Sequence, residues 1–262
     1  MMMIDFHVHA FPDFLAKRAM DQLSYFSRPF HDGTIKGLFH SMDEAGIDCS
    51  VVQSIATRPD QSDNILQWSL QIKGDRIEPF ISIHPETENY ISLLKKARTK
   101  GIKGVKVHPH YQGFQSDDEN LFGLYEAFCA LDFIVFFHSG EDLAFPGMDN
   151  ASVRRMAKVL EKFPQMKMVL AHMGAFREWE EVYRLLAGKD VYFETSFILE
   201  EGGKDLFLDI MEKHDDKKVL FGTDSPWCHQ KKAVECIRNL NLPQETQERI
   251  FFKNALNLLK GA

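Results

Sequence analysis

The sequence has few cysteines, no long apolar run and no excess of positive charge, and each of these features excludes a class of protein. Four cysteines among 262 residues, with no CxxC pair, give no disulfide framework and fit a reducing compartment. No apolar run approaches the roughly 20 residues that a membrane-spanning helix needs. The N-terminus lacks the basic and apolar regions of a signal peptide. We therefore expect a cytoplasmic protein without a membrane partner.

The charge balance argues against a nucleic-acid partner. The chain carries 31 Lys and Arg against 38 Asp and Glu, a net charge of −7, so its surface as a whole does not attract a phosphate backbone. The hydrophobic fraction of 44% and the charged fraction of 26% are those of an ordinary globular protein. No Ser-, Gly- or Pro-rich linker divides the sequence, so one domain over residues 1–262 is expected.

Short apolar runs alternate with longer amphipathic stretches along the whole chain. We predict eight strands, at Ile4–His9, Ser50–Ile55, Ile77–His84, Gly104–His108, Phe133–His138, Lys167–His172, Val191–Ser196 and Val219–Asp224. Helical patterns lie between most of them, for example at Leu121–Leu131, Val153–Phe163 and Asp205–Lys213. The alternation predicts an α/β protein with a parallel sheet, and eight units favour a single (β/α)8 TIM-like barrel. An open, doubly wound sheet is the alternative, although no GxGxxG motif follows a strand.

The first strand-to-strand interval is longer than the others and has room for an inserted segment, Phe11–His31. This segment is rich in Phe and Pro, and it is expected to form either a lid or an extra helix.

Histidines are concentrated at the carboxyl ends of the predicted strands. Six of the eleven lie at or beside such ends, and the eighth strand ends in an aspartate; these residues are His7, His9, His84, His108, His138, His172 and Asp224. In a barrel the strand ends line one mouth, so residues distant in sequence converge there. An isolated HxH pair is usually a pair of core histidines, and a single polar residue at a strand end is often a cap. The ordered set instead predicts a metal site.

The predicted ligands are suited to one divalent cation or more. His7 and His9 are two residues apart on a strand, so both rings share a face and can chelate one ion. His138, His172 and Asp224 each follow an apolar strand and complete the predicted set. A carboxylate beside the ion can bind it and also transfer a proton, so Asp224 is the candidate for both roles.

Five segments resemble the ordered motifs of the amidohydrolase superfamily. They are Asp5-Phe6-His7-Val8-His9, Gly104-Val105-Lys106-Val107-His108-Pro109, Phe137-His138-Ser139-Gly140, Leu170-Ala171-His172-Met173-Gly174 and Phe221-Gly222-Thr223-Asp224-Ser225-Pro226-Trp227. The resemblance is to the amidohydrolase-related branch that includes aminocarboxymuconate-semialdehyde-decarboxylase-like enzymes. It runs from residue 4 to a closing helix at residues 254–259. It implies a distorted (β/α)8 barrel with one or two divalent metals, usually zinc, and a homodimer; Mn, Fe or Co also suit such ligands.

The resemblance also assigns roles to individual residues. His7 and His9 correspond to the first-strand ligands, His138 to the fifth-strand ligand and Asp224 to the eighth-strand ligand. His172 corresponds to a residue that ligates the second metal in binuclear members. In mononuclear members that residue orients the attacking water or takes part in proton transfer, which makes His172 catalytic.

Strand four leaves the number of metals open. Lys106 lies where some binuclear relatives carry a carboxylated lysine that bridges two metals. It is expected to be that bridge, a cation that binds a substrate carboxylate, or a packed lysine in a salt bridge. His108 on the same strand face is a candidate ligand or substrate contact. Arg58 and Trp227 are further candidates for substrate binding.

Three functions fit these features. The first is hydrolysis, in which a metal-activated water attacks an amide, ester, lactone or ring C–N or C–O bond of a small molecule. The second is a lyase reaction, decarboxylation or hydration, on a small carboxylated substrate. The third is a non-catalytic barrel with structural histidines. Fold alone does not choose between the first two.

Overall fold

The structure is a computed structural model that describes residues 2–23 and 28–261. Its eight strands, β1 to β8, are Ile4–Val8, Cys49–Gln53, Ile77–Phe80, Gly104–Val107, Ile134–Phe137, Lys167–Leu170, Tyr192–Glu194 and Val219–Leu220. The α-helices of this part of the chain, α1 to α12, are Asp13–Leu23, Ile35–Ala45, Ser62–Ile72, Tyr90–Thr99, Pro109–Gln112, Phe122–Ala130, Val153–Lys162, Trp179–Leu185, Lys204–Lys213, Gln230–Arg238, Gln244–Glu248 and Asn254–Lys260. The helices predicted around residues 121–131, 153–163 and 205–213 and the closing helix are confirmed.

All neighbouring strands pair in parallel, in the order β1-β2-β3 and β4-β5-β6-β7-β8. Backbone hydrogen bonds join the two sheets at both edges. Ile81, just after β3, pairs with Gly104 and Lys106 of β4, and Phe6 of β1 donates to the carbonyl of Phe221, just after β8. The predicted (β/α)8 barrel is therefore confirmed, and the open doubly wound sheet is wrong.

The barrel interior is filled by apolar side chains from the strands and from α12. This cluster comprises Ile4, Phe6, Val51, Phe80, Ile134, Phe136, Val169, Ala171, Leu220, Ala255, Leu258 and Leu259. The interior leaves no space for a side chain at the start of β4, because a Cβ on Gly104 would lie 2.2 Å from the Phe80 ring. The packed interior forms a floor beneath the carboxyl ends of the strands.

Strand β1 contains a bulge that aims its histidines into the barrel. Asp5 pairs with Ser50 and Val8 with Val52, so Phe6 and His7 together face one residue of β2. A bulge of this kind inserts one residue and changes which face later side chains occupy. Phe6 and His7 both contact the ring of Phe136.

The predicted strands run too far at their carboxyl ends. Val219–Asp224, for example, was expected as a strand, whereas β8 ends at Leu220. The residues that follow leave the regular ladder, and both His172 and Asp224 adopt positive φ, at 59° and 58°. The chain turns where the polar side chains enter the mouth, and alternation of apolar residues does not mark that turn.

The inserted segment contributes a helix, α1, which confirms the extra-helix alternative for its first half. Residues 24–27 of the segment lie outside the described residues. Its end is fixed to the loop after β8, because Phe30 donates its N–H to the carbonyl of Pro226 and His31 Nε2 lies 3.1 Å from Ser225 Oγ. In the described ranges, no helix combines the length and the apolar character that crossing a membrane requires.

Candidate metal centre

Three donor atoms converge at the carboxyl ends of β1 and β8. Asp224 Oδ1 lies 3.0 Å from His9 Nε2 and 3.2 Å from His7 Nε2, and the two nitrogens are 3.2 Å apart. All three residues are buried. Ligand atoms bound to one zinc ion at about 2.0–2.1 Å lie about 3.0–3.4 Å from one another, so the spacing fits a shared cation.

Hydrogen bonds on the far side of each ring fix which nitrogens carry protons. His7 Nδ1 lies 3.0 Å from Glu194 Oε1, and His9 Nδ1 lies 2.8 Å from the carbonyl oxygen of Gln53. A carbonyl oxygen only accepts, and Glu194 Oε1 already accepts from the backbone N–H of His172, so both Nδ1 atoms donate. A neutral ring that donates from Nδ1 has a bare lone pair on Nε2.

The charge states agree with this assignment. Burial lowers the pKa of His7 well below its ordinary value, so the ring is neutral. Burial raises the pKa of Asp224, and attraction to His7 and His9 in their protonated form lowers it to about 2. Because the rings are neutral here, a divalent cation would have to supply that positive charge. Asp224 Oδ1 has no hydrogen-bond donor among the described residues. Three electron-pair donors without a proton between them fit a divalent cation.

A second convergence involves the histidines that follow β5 and β6. Ser196 donates its hydroxyl to Glu194 Oε1 at 2.7 Å, so its oxygen accepts from His172 Nδ1 at 2.8 Å. His138 Nε2 donates to the carbonyl oxygen of Glu141 at 3.1 Å. His172 Nε2 and His138 Nδ1 are therefore both bare, and they face each other at 3.2 Å. Two lone pairs at this distance need a cation or a shared proton between them. Burial lowers the pKa of both rings and so favours the cation.

Lys106 lies beside the first set of donors. Its side chain is 1% exposed, its Nζ is 3.4 Å from His7 Nε2, and the Phe136 ring centroid is 4.3 Å away. No carboxylate of the described residues lies within 4.0 Å of the amine, and burial lowers the pKa of Lys106 to about 8. The packed-lysine alternative thus lacks its salt-bridge partner in the described part of the chain. The lowered pKa leaves part of the amine uncharged near neutral pH.

The other residues predicted for the site are His108, Trp227 and Arg58. The His108 ring stacks on His138 with 4.2 Å between centroids. Trp227 is half-buried in the loop after β8, and its backbone N–H donates to the carbonyl of Asp224. Arg58 is 63% exposed and pairs with Asp60, so it stands apart from the converging donors.

Glu194 and Gln53 have roles that the sequence did not reveal. Glu194 ends β7 and is fully buried, where it accepts from His7, His172 and Ser196. Gln53 ends β2; its side chain donates to the carbonyl of Phe6 in the bulge, while its backbone carbonyl orients His9. The one sequence signal for Glu194 is a single acidic residue at the end of an apolar strand.

Comparison with known proteins agrees with the fold. The amidohydrolase family profile matches residues 4–261. Among solved structures, an uncharacterized TIM-barrel protein from Bordetella bronchiseptica is 19% identical, with 100% of this chain and 99% of that chain covered and a TM-score of 0.82. No curated protein in the comparison matches the sequence.

Two further similar structures carry enzyme names. The 5-carboxyvanillate decarboxylase from Sphingomonas paucimobilis is 14% identical, with 99% of each chain covered and a TM-score of 0.73. A putative 2-pyrone-4,6-dicarboxylic acid hydrolase from Pseudomonas putida is 16% identical, with 99% of this chain and 98% of that chain covered and a TM-score of 0.71. At these identities the similarity concerns the fold.

Proposed function

Because the chain belongs to the amidohydrolase family, we propose that it is a metal-dependent hydrolase that cleaves an amide, ester, lactone or ring C–N or C–O bond of a small molecule. The observation that carries this proposal is the pair of converging donor sets beside Lys106. His7, His9 and Asp224 would hold one divalent cation, and His138 and His172 would hold a second. Imidazole and carboxylate ligands suit zinc, and they also suit Mn, Fe or Co.

The protein's own residues prepare the site for hydrolysis. A bound divalent cation supplies Lewis acidity and brings the pKa of a water molecule toward about 7. Asp224, ionised at neutral pH, receives the proton of the nucleophilic water and returns it to the leaving group. Glu194 and Gln53 hold the rings of His7 and His9 in one tautomer and one orientation.

Lys106 connects the two donor sets in this proposal. A neutral lysine amine adds to CO2 and releases one proton, which forms a carbamate with two oxygen ligands. The pKa of Lys106, lowered by burial to about 8, supports that reaction. If the protein instead holds one metal, His172 becomes the group that orients water and transfers the proton.

A lyase reaction on a carboxylated substrate is the second candidate, and the similarity to a decarboxylase keeps it open. Such a reaction needs a cation that reaches the substrate carboxylate. Arg58 is largely exposed and paired with Asp60, and Lys106 is buried against His7. The placement of these two cations favours the hydrolase. The unprotonated converging donors likewise disfavour a non-catalytic barrel.

The first experiment is the metal content of the whole chain, purified without chelator, for the wild type, Lys106→Ala and the exposed control Lys100→Ala. We expect at least two divalent ions per chain in the wild type and in the control, with the loss of one or more in Lys106→Ala. In parallel, a panel of esters, lactones and amides should be turned over, and aromatic carboxylates should release no CO2.

Two results would overturn the proposal. One metal per chain that Lys106→Ala leaves unchanged, together with CO2 release from a carboxylate, establishes the lyase instead. No metal after reconstitution with zinc, manganese, iron or cobalt excludes both metal-dependent reactions.

A further inference from the structure

A separate cluster of potential ligands lies beside the candidate metal centre. His108 and His110 follow β4, and Asp142 follows β5. One ring nitrogen of each histidine and one carboxylate oxygen of Asp142 lie within 4.8 Å of one another. We call these three residues the mouth cluster. It shares no residue with the two donor sets of the candidate metal centre.

The two histidines of the mouth cluster have buried nitrogens without a partner. His108 is 5% exposed and His110 is 2% exposed, and the Nδ1 atom of each has no hydrogen-bond partner among the described residues. His110 Nε2 donates to the carbonyl of Met148 at 3.3 Å, which leaves its Nδ1 as a bare lone pair. A buried polar atom that is left unpaired costs about 1–3 kcal/mol, so the lone pair of His110 Nδ1 calls for a ligand.

Asp142 supplies the negative charge of the mouth cluster. Its side chain is 11% exposed, and its Oδ2 lies 3.5 Å from His108 Nε2 and 3.8 Å from His138 Nε2. Its Oδ1 accepts from the backbone N–H of Ala144 at 2.8 Å. No lysine or arginine of the described residues lies within 4.0 Å of this carboxylate.

We propose that His108, His110 and Asp142 bind an additional divalent cation, separate from those of the hydrolytic centre. Two imidazoles and one carboxylate are a ligand set for zinc, with a fourth position left for water. Ligand atoms of one zinc ion lie about 3.0–3.4 Å apart, and the three present atoms lie within 4.8 Å of one another, so side-chain rotations would bring them onto one ion. This proposal does not depend on the hydrolase proposal, because it uses neither the residues of the two donor sets nor the argument about their protonation.

The additional cation would connect two loops at the barrel mouth. His108 and His110 belong to the connection after β4, in which His110 lies in the short helix α5, whereas Asp142 belongs to the loop of residues 141–149. That second loop already contacts the site, since Glu141 accepts from His138 and the Phe145 ring lies 4.9 Å from Tyr111. A cation shared by both loops holds residues 141–149 against His138.

The test is a zinc count on the full chain. Protein stripped with chelator is dialysed to equilibrium against a fixed free zinc concentration, and bound zinc is measured by elemental analysis. The variants are His110→Asn and Asp142→Asn. The matched controls are His40→Asn, an exposed histidine on α2, and Asp149→Asn, an exposed carboxylate in the same loop as Asp142.

We expect His110→Asn and Asp142→Asn each to bind one zinc ion fewer than the wild type, and both controls to match the wild type. The variant His9→Asn should lose zinc from the hydrolytic centre and keep the ion of the mouth cluster. Failure of the hydrolase proposal therefore leaves the difference between wild type and His110→Asn in place. An equal zinc count in wild type, His110→Asn and Asp142→Asn overturns the additional site.

Hydrogen exchange gives a second readout that does not depend on the count. Zinc should slow amide exchange in residues 141–149 of the wild type several-fold, and His110→Asn should abolish that slowing. Equal slowing by zinc in both proteins contradicts the connection between the loops.

Discussion

Glu194 Oε1 lies 3.0 Å from Nδ1 of His7, and the same oxygen accepts the backbone N–H of His172 at 2.6 Å. One carboxylate oxygen thus fixes the ring of His7, which belongs to the first donor set, and the backbone of His172, which belongs to the second. It links the two donor sets without belonging to either.

Replacement of Glu194 by Gln should weaken metal binding about 10- to 100-fold, since partners that orient a ligating histidine typically contribute that much. The amide would place an N–H group against at least one of the N–H or O–H donors from which the carboxylate now accepts hydrogen bonds. Competition with a chromophoric chelator measures the affinity, and Glu161→Gln on the exposed face of α7 is the control. An unchanged affinity in Glu194→Gln would show that His7 is oriented without this contact.

Gly222 is a second determinant of the position of Glu194. A Cβ at this glycine would lie 2.1 Å from Glu194 Oε2 and 3.1 Å from His7 Cβ. We therefore expect Gly222→Ala to lower the melting temperature by several degrees and to reduce metal affinity at least tenfold. The control is Gly74→Ala, where a Cβ meets no atom within 4 Å. If both variants bind metal like the wild type, the close approach at Gly222 is of no consequence for the site.

Metal removal should lower the stability of the folded chain. A ligand at 100 times its Kd stabilises the native state by about 2.7 kcal/mol, so chelation should lower the melting temperature measurably. His9→Asn removes one of the three converging donors, and the shift on chelation should be clearly smaller in that variant. Exposed His40→Asn should retain the full shift. The prediction fails if chelator shifts the wild type and His9→Asn equally.

His214 should make stability depend on pH below neutrality. Its Nδ1 accepts from the Gly188 N–H, its Nε2 donates to the Val191 carbonyl, and its ring stacks on Phe193 with 4.2 Å between centroids. Burial lowers the pKa of His214 to about 4. The unfolded chain therefore binds a proton between pH 6.5 and 4 that the folded chain does not, and stability falls as the pH falls through that window.

This contribution amounts to about 3 kcal/mol over the window. Denaturant unfolding at pH 7, 6, 5 and 4 should show a flatter pH dependence for His214→Gln than for the wild type, with His40→Gln as the exposed control. Parallel pH profiles for wild type and His214→Gln would contradict the assignment.

The number, order and direction of the strands were predictable because short, largely apolar runs alternate with longer amphipathic stretches along the chain. The predicted Lys167–His172, for example, contains β6 in full. The ends were placed too late, since residues such as His172 and Asp224 continue an apolar stretch while the backbone has already turned to positive φ. That turn depends on contacts with neighbouring strands, which the local sequence does not contain.

The convergence of His7, His9 and Asp224 was predictable for a related reason, because parallel strands bring their carboxyl ends to one mouth. Their orienting partners were not. Glu194 and His7 are 187 positions apart, and a lone glutamate after an apolar strand has the same local pattern as a solvent-facing residue. Arg58 also lay at a strand end, but its guanidinium pairs with the nearby Asp60.

The bulge in β1 has a consequence for how this barrel can change. Ile4 and the first bulge residue, Phe6, follow one phase of the alternation, and the second bulge residue, His7, and His9 follow the other. In β1, the residues that pack in the barrel floor and the histidines of the candidate metal centre therefore follow separate phases of the side-chain alternation. Floor side chains can be replaced by others of similar volume without moving the histidines. Deletion of one residue within the bulge would instead merge the two phases and turn both imidazoles toward the helices.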